Sequence, residues 1–340
     1  GIPTDPELRP DDLFNWSANN PDVIVAKKDG MIYPNDTYPY NGQLVAKNRK
    51  GEEVIYPYHE DSEGRRYFLE GHIDYRKRSY VLTETKKMSS SNPMDTAWIL
   101  YEFTKKYENY IPTHDAEWRN YLIDVDAGPP YSYWGGVWER WFWNDLNHMR
   151  NLAEAYLEVK KTDAFEKLSR EVGIDVESKI VNEMFKPSVD FVLSVYPGTP
   201  GNMAFGVWNG LVSLAQAIQQ PDYIHWVVDS ADFYARSNFL SDGFWKEVTG
   251  SYHSQSLNGF INAANNIKNW VDPDEYISPR TGKTLKGYDA TEAFPVISRG
   301  TAINSILCYP NGKLLPAMDT WPSDKTNSII RNELIPPALS

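Results

Sequence analysis

The sequence predicts an all-α fold in which helical hairpins build an incomplete (α/α) toroid, preceded by an N-terminal layer of loops and short hairpins. Two observations lead to this prediction. From Pro93 onward, apolar residues recur at helical spacing, as in Leu146, Met149, Leu152 and Tyr156. Between these stretches no Val- or Ile-rich run has the length of a strand, which argues against a parallel sheet with crossover helices. Successive hairpins of amphipathic helices can close into a ring.

The first 88 residues differ in composition from the rest of the chain. They are rich in Asn, Asp, Pro, Gly and Tyr, and turn signals separate short alternating stretches such as 43–46 and 53–56. We therefore expect residues 1–88 to form loops and short hairpins that pack on the toroid, and residues 89–340 to form the toroid itself. The segment 88–93, Met-Ser-Ser-Ser-Asn-Pro, is the expected boundary.

Helices are expected wherever apolar residues share one face of a 3.6-residue repeat. The clearest cases are the face from Leu146 to Leu157, the face from Val207 to Ile218, and the face from Ile224 to Ala231, which follows a break at Pro221. Further helices are predicted over approximately 94–108, 175–194, 254–270 and 289–307.

Composition and charge exclude several classes of protein. The chain has 34 basic and 46 acidic residues, and its net charge of −12 argues against a general nucleic-acid-binding protein. No apolar run approaches the roughly 20 residues needed to span a bilayer. The single cysteine, Cys308, excludes an intramolecular disulfide and a cysteine-based zinc cluster. The first ten residues fit either a mature terminus after signal-peptide cleavage or an ordinary cytosolic terminus.

Aromatic residues are abundant, with 12 Trp and 22 Tyr, and four of the Trp fall within residues 134–143. So many large rings cannot all lie on one face of a helix. Tyr133, Trp134 and Trp138 can form a platform on which sugar rings stack, and Arg140 can pair with a carboxylate. The alternative is a helix buried on all sides between its neighbours.

Two further segments carry polar residues suited to chemistry. A turn-rich loop, 196–203, delivers Asn202 to the start of a helix, where the simplest role is an N-cap. The segment 241–255 places Tyr252 and His253, both proton-transfer residues, after a glycine-containing loop. Standard phosphate, dinucleotide, zinc-protease and hydrolase motifs are missing from the sequence, and the acidic stretch beginning at Asp272 is expected to be a solvated turn.

The order and spacing of these segments resemble the heparinase II/III-like polysaccharide lyases. In that family a loop Asn precedes a segment of the pattern S-D-G-x-x-x-E-G-S-x-x-Y-H by about fifty residues, and here Tyr252 follows Asn202 by fifty. The stretch 31–40 resembles the family's leader before its first helices, and 309–320 resembles its P-D-G-x-x-P-x-x-D passage. The resemblance therefore touches most of the chain.

The resemblance implies an enzyme that cleaves a uronic-acid polysaccharide by β-elimination, without cofactor or metal, in the periplasm or outside the cell. Asn202 then neutralises the uronate carboxylate, and Tyr252, with or without His253, transfers protons. Tyr133, Trp134, Trp138, Arg140, Tyr288 and Arg299 are expected to bind substrate. Another histidine, such as His148, is an alternative base if Tyr252 acts only as the acid. Without a dense cluster of basic residues, unsulfated polymers such as alginate or glucuronan are favoured.

Two departures from the family pattern leave alternatives open. Met203 stands where many relatives have histidine, and the chain stops where relatives commonly continue into a β-sandwich. A glycoside hydrolase with two opposed carboxylates, a uronyl C5-epimerase and a non-catalytic carbohydrate-binding scaffold are therefore alternatives.

Overall fold

The computed structural model describes residues 14–47, 52–64, 66–110, 113–114, 122–123, 136–138, 142–196 and 201–320. The chain divides into two compact units, Gly1–Tyr196 and Pro197–Ser340. The boundary expected near 88–93 falls inside the first unit, between two helices. None of the helices in the described ranges is both long and apolar enough to cross a membrane.

Unit 1 begins with two three-stranded antiparallel sheets. The first contains β1 (Phe14–Ser17), β2 (Asn20–Ala26) and β3 (Ile32–Tyr33), and the second contains β4 (Gly42–Lys47), β5 (Glu53–Glu60) and β6 (Arg66–Tyr67), each in sequential order. Ile24 opposes Tyr33 in the first sheet, and both are buried in a cluster that includes Phe14 and Ile73. Two very short strands, β7 (Thr113–His114) and β8 (Leu122–Ile123), pair further along the chain.

These sheets overturn the all-α prediction, because the protein contains both antiparallel sheets and helices and is a mixed α/β structure. The alternating stretches 43–46 and 53–56, expected to belong to loops and short hairpins, pair as the antiparallel strands β4 and β5. Alternation places the half-buried Leu44 and Tyr56 on one face and the exposed Val45 and Ile55 on the other, so one face of the sheet packs inward while the other faces water.

The helices of unit 1 follow the sheets. α1 (Leu69–Met88), α2 (Pro93–Tyr107) and α3 (Phe142–Lys160) are long, and α3 packs against both of the others. α4 (Ala164–Val172), α5 (Val176–Ile180) and α6 (Lys186–Val195) follow, with a π-helical turn at Val181–Phe185 between α5 and α6. The predicted apolar face of α3 is confirmed, since Leu146, Met149 and Leu152 are fully buried.

Unit 2 is helical in its described part. α7 (Ala204–Ile218) and α8 (Pro221–Asn238) form a hairpin, and Trp208 fixes it by donating from Nε1 to Ser230 Oγ at 3.0 Å. α9 (Gly250–Ile267) packs against α7, and α10 (Ala290–Ala293) and α11 (Pro295–Ile306) follow. The helix predicted over 254–270 is thus confirmed with its bounds moved by three or four residues, whereas the stretch 289–307 forms two helices, α10 and α11, interrupted at Phe294.

The segment between α9 and α10 is held by a buried histidine–aspartate pair. His225 Nε2 lies 2.8 Å from Asp272 Oδ2, and the same carboxylate accepts hydrogen bonds from the Trp270 indole and the Leu285 backbone N–H. Burial alone raises the pKa of Asp272, but these hydrogen bonds bring it below its usual value. The expected solvated turn is therefore wrong for Asp272, whose side chain anchors the segment.

Candidate functional site

α7 and α9 bring two of the predicted site residues to the same end of unit 2. The contacts that join the helices include Gln255 Nε2 to Met203 Sδ at 3.2 Å, Gly259 against the ring of Phe205, and Asn266 Nδ2 to Asn209 Oδ1 at 2.9 Å. A Cβ at Gly259 would lie 2.3 Å from that ring, so glycine permits the close approach. The contacts advance in the same direction along both helices, which therefore run parallel with their amino ends side by side.

Asn202 lies directly before α7 and is half-buried. The N-cap position belongs to Met203, and no side chain caps this helix. The Asn202 amide makes no hydrogen bond to any residue in the described part of the chain. The expected capping role is therefore not what holds Asn202 in place, and its amide can bind a ligand.

Tyr252 lies on the first turn of α9, and its backbone is fixed by two threonines. Thr249 is the N-cap, and its Oγ1 accepts a hydrogen bond from the Tyr252 N–H at 3.1 Å. Thr320 Oγ1 accepts from the Gly250 N–H at 2.8 Å. The half-buried Tyr252 hydroxyl has no hydrogen-bond partner among the residues that the structure describes. The backbone is thus anchored while the phenol remains available.

The Ser-Asp-Gly motif before α9 builds a loop, residues 239–249, that docks on α11. The Asp242 carboxylate accepts from the Phe244 N–H at 2.8 Å and closes a turn. Gly243 has φ +93°, and a Cβ there would lie 2.3 Å from the Gly300 nitrogen, so only glycine fits. The exposed Arg299 donates from Nε to the Ser241 carbonyl at 3.0 Å. In this structure Arg299 therefore fastens the loop.

His253 joins this loop to both α9 and α11. Its Nδ1 accepts a hydrogen bond from the Trp245 N–H at 3.2 Å, and its Nε2 donates to the Gly300 carbonyl at 2.8 Å. The side chain is only 1% exposed, and burial lowers the pKa of the imidazole. Both nitrogens of the neutral imidazole are hydrogen-bonded to backbone groups, so neither nitrogen is free to take a proton from a substrate.

Tyr288 is anchored at the opposite end of α9. Its backbone N–H donates to the Lys268 carbonyl at 3.1 Å, and Lys268 follows Tyr252 by sixteen residues, a distance of about 24 Å along a helix. Burial, with a smaller contribution from Asp232, raises the pKa of the Tyr288 phenol to about 12. The structure does not bring the Tyr288 backbone to the end where Tyr252 lies.

The predicted aromatic platform belongs to unit 1 and is only partly described. Tyr133, Trp134 and Arg140 lie outside the described residues. Trp138 is 1% exposed, stacks on Tyr107 with ring centroids 5.3 Å apart, and donates to Ser188 Oγ. This packing gives Trp138 a core position, in which its ring faces are covered by protein.

His148, the alternative base, lies on α3 in unit 1. Burial and the neighbouring Arg78 guanidinium lower its pKa to about 4, so the imidazole is neutral near pH 7. Arg78 itself donates to the Val137 carbonyl at 2.9 Å and pairs with Asp74. The cation thus has a structural role beside this histidine.

Sequence reasoning missed Gln255, Thr249 and Thr320 at this site. Thr249 carried a recognisable signal, because a threonine directly before a helical stretch is a preferred N-cap. Gln255 follows Tyr252 by three residues and therefore lies on the same side of α9. Thr320 gave no local signal, because its partner Gly250 lies seventy positions away.

No group of three or more potential metal-ligating side chains occurs among the described residues. At the amino ends of α7 and α9, Asn202, Tyr252 and Gln255 supply two amides and a phenol, groups suited to hydrogen bonding and proton transfer. No protein-family model matches this chain, and no curated protein is significantly similar to it in sequence.

Proposed function

We propose that this protein is a polysaccharide lyase that cleaves a uronic-acid polysaccharide by β-elimination at the amino ends of α7 and α9. One observation carries the proposal. The Asn202 amide and the Tyr252 hydroxyl lie at the same end of parallel helices without a hydrogen-bond partner in the described ranges, whereas neighbouring Thr249, Asp242 and His253 are all engaged. Two unused polar groups beside a rigidly held helix start are what a substrate site requires.

Elimination from a uronate begins with loss of the C5 proton, which builds negative charge on the adjacent carboxylate. A neutral amide that donates a hydrogen bond stabilises this charge. Asn202 can supply it, and the amino end of α7, which no side chain caps, adds backbone N–H groups and a favourable dipole. Local donors of this kind can bind an anion although the whole chain carries a charge of −12.

Tyr252 is proposed to carry both proton transfers, because His253 has both nitrogens occupied. The phenolate takes the C5 proton, the released electron pair forms the C4=C5 double bond, and the C4–O4 bond breaks. The same phenol then protonates the departing O4, which returns it to the phenolate. The products are an unsaturated uronate and a new chain end, so atoms and charge balance without a cofactor.

The proposed substrate is an unsulfated polyuronate, and the proposed location is the periplasm or the extracellular space. The lysines and arginines within the described residues form many ion pairs with carboxylates, as Arg236 does with Asp232 and Lys268 with Asp289. Such paired cations are less available to bind rows of sulfate groups. Alginate and glucuronan carry a carboxylate beside each scissile bond and no sulfate groups, so their binding does not require rows of unpaired cations.

The test is an ultraviolet absorbance assay of purified protein against alginate, glucuronan, unsulfated glycosaminoglycans and ulvan. Elimination yields an absorbing conjugated product, and we expect Tyr252→Phe to lower its rate by at least about 10²-fold. Tyr309→Phe is the matched control, because this tyrosine of unit 2 is exposed. New reducing ends without absorbance would indicate a hydrolase, altered uronate composition without cleavage an epimerase, and binding without product a scaffold; each would refute the proposal.

A further inference from the structure

Gln255 is a further polar side chain near the amino ends of α7 and α9. It lies one turn after Tyr252 and is half-buried. Its Nε2 lies 3.2 Å from the sulfur of Met203, and this is its side chain's one hydrogen bond to the described residues. A thioether is a weak acceptor, so the amide can exchange this partner for a stronger one at little cost.

The position of Gln255 relates it directly to Asn202. Because Met203 follows Asn202 in the chain and its sulfur contacts Gln255, both Asn202 and Gln255 are neighbours of the same methionine. Met203 has no hydrogen-bond donor, whereas a histidine at this position would have one. The Gln255 amide can therefore provide, from the neighbouring helix, the donor that residue 203 lacks.

A carboxylate has two oxygens and accepts hydrogen bonds at both. We propose that Gln255 is a substrate-binding residue whose amide N–H donates to the uronate carboxylate, exchanging the Met203 sulfur for a carboxylate oxygen while Asn202 binds the other. This inference rests on the proposed function, because it requires a uronate in front of Tyr252. It adds that recognition of the acid group is shared by two neutral amides.

The test measures binding separately from turnover, in the Tyr252→Phe protein. The probes are tetrasaccharides of alginate and glucuronan, each as the free acid and as the full methyl ester, and affinity is measured by calorimetry. Gln255→Glu places a second negative charge against the substrate carboxylate, so we expect affinity for the better free acid to fall at least about tenfold. Affinity for its methyl ester should change less than about threefold, since the ester is neutral.

Two further variants keep the test decisive. Gln216→Glu makes the same change at an exposed glutamine on α7, fourteen residues after Asn202, and should leave both affinities unchanged. Gln255→Met removes the donor without adding charge, and should weaken the free acid about tenfold while melting stays unchanged.

The outcomes distinguish this inference from the function on which it rests. Equal affinities of Gln255→Glu and its parent for the free acid would overturn the role of Gln255 and leave the proposed lyase intact. Equal losses for acid and ester would assign Gln255 to shaping the site, and would also overturn it. If the parent bound neither probe, the proposed function would fail and this inference with it.

Discussion

Replacing His253 with alanine should lower the free energy of unfolding by an amount that the structure allows us to estimate. The change removes the imidazole that bridges the Trp245 N–H and the Gly300 carbonyl, and both of these residues are buried. A buried polar group left without a partner costs about 1–3 kcal/mol. Only the Trp245 N–H is left without a partner, because the Gly300 carbonyl lies within α11 and keeps its helical hydrogen bond. Loss of the additional bond to this carbonyl adds about 1 kcal/mol. We therefore expect a total loss of about 3 kcal/mol in the free energy of unfolding.

Two conservative variants separate the hydrogen bonds. His253→Asn keeps an acceptor near the position of Nδ1 and should recover about 2 kcal/mol of the loss, whereas His253→Gln keeps a donor near Nε2 and should recover about 1 kcal/mol. Unfolding in urea at pH 7.5, followed by tryptophan fluorescence, measures the values. Because burial lowers the pKa of His253, the unfolded chain binds a proton that the folded chain does not as pH falls below about 6.5. Wild-type stability should therefore decline below that pH, and less so in the Asn and Gln variants.

His59→Ala is the control, because His59 is also buried but its ring makes a single hydrogen bond to the described residues, from Nδ1 to the Pro39 carbonyl. Pro39 is exposed, so water can replace the imidazole at its carbonyl, and His59→Ala should lose only about 1 kcal/mol, clearly less than His253→Ala. A loss at His253 no larger than that at His59 would refute the bridging role. The bridging role would also be refuted if the Asn and Gln variants folded but lost about 10²-fold in turnover together with the acidic limb of the pH–rate profile. His253 would then transfer a proton in the reaction.

The remaining predictions concern Asn202 and His148. Asn202→Ala should reduce kcat by about 10²-fold or more. It should change the free energy of unfolding by less than about 0.5 kcal/mol, because the amide makes no hydrogen bond to α7. A loss of about 1 kcal/mol with full activity would show instead that Asn202 caps the helix. The pKa of His148 is lowered to about 4, so the free energy of unfolding should fall by up to roughly 3 kcal/mol as pH drops from 6.5 towards 4. His148→Gln should weaken this pH dependence, measured by urea unfolding at pH 4.5 and 7.5. The same pH dependence in the variant and the wild type would contradict this prediction.

The helices that could be predicted are those whose burial is one-sided. α3 buries Leu146, Met149 and Leu152 at helical spacing, and the pattern is visible in the sequence. α1 was missed because its twenty residues are mostly polar and few of them are buried, among them Ile73 and Leu82. Its position depends on the sheets that it packs against, and their pairing is a contact between distant segments.

The candidate site could be predicted only as separate parts. The spacing of Asn202 and Tyr252 identified two helix starts, but no local pattern shows that α7 and α9 run parallel and place these residues at one end. The side-chain bonds of His253 likewise depend on how residues 239–249 fold against α11. A sequence names residue types suited to chemistry, and the fold decides which of them remain unoccupied.

The hydrogen bond between Gly250 and Thr320 has a consequence for the order of folding. A partner seventy positions away makes the start of α9 a high-contact-order feature, whereas the Thr249 cap is local. During synthesis the helix can form as soon as its own residues emerge, but its first turn gains this second anchor only after residue 320 has left the ribosome. Tyr252 therefore reaches its final position late, when nearly the whole described chain is present to hold it.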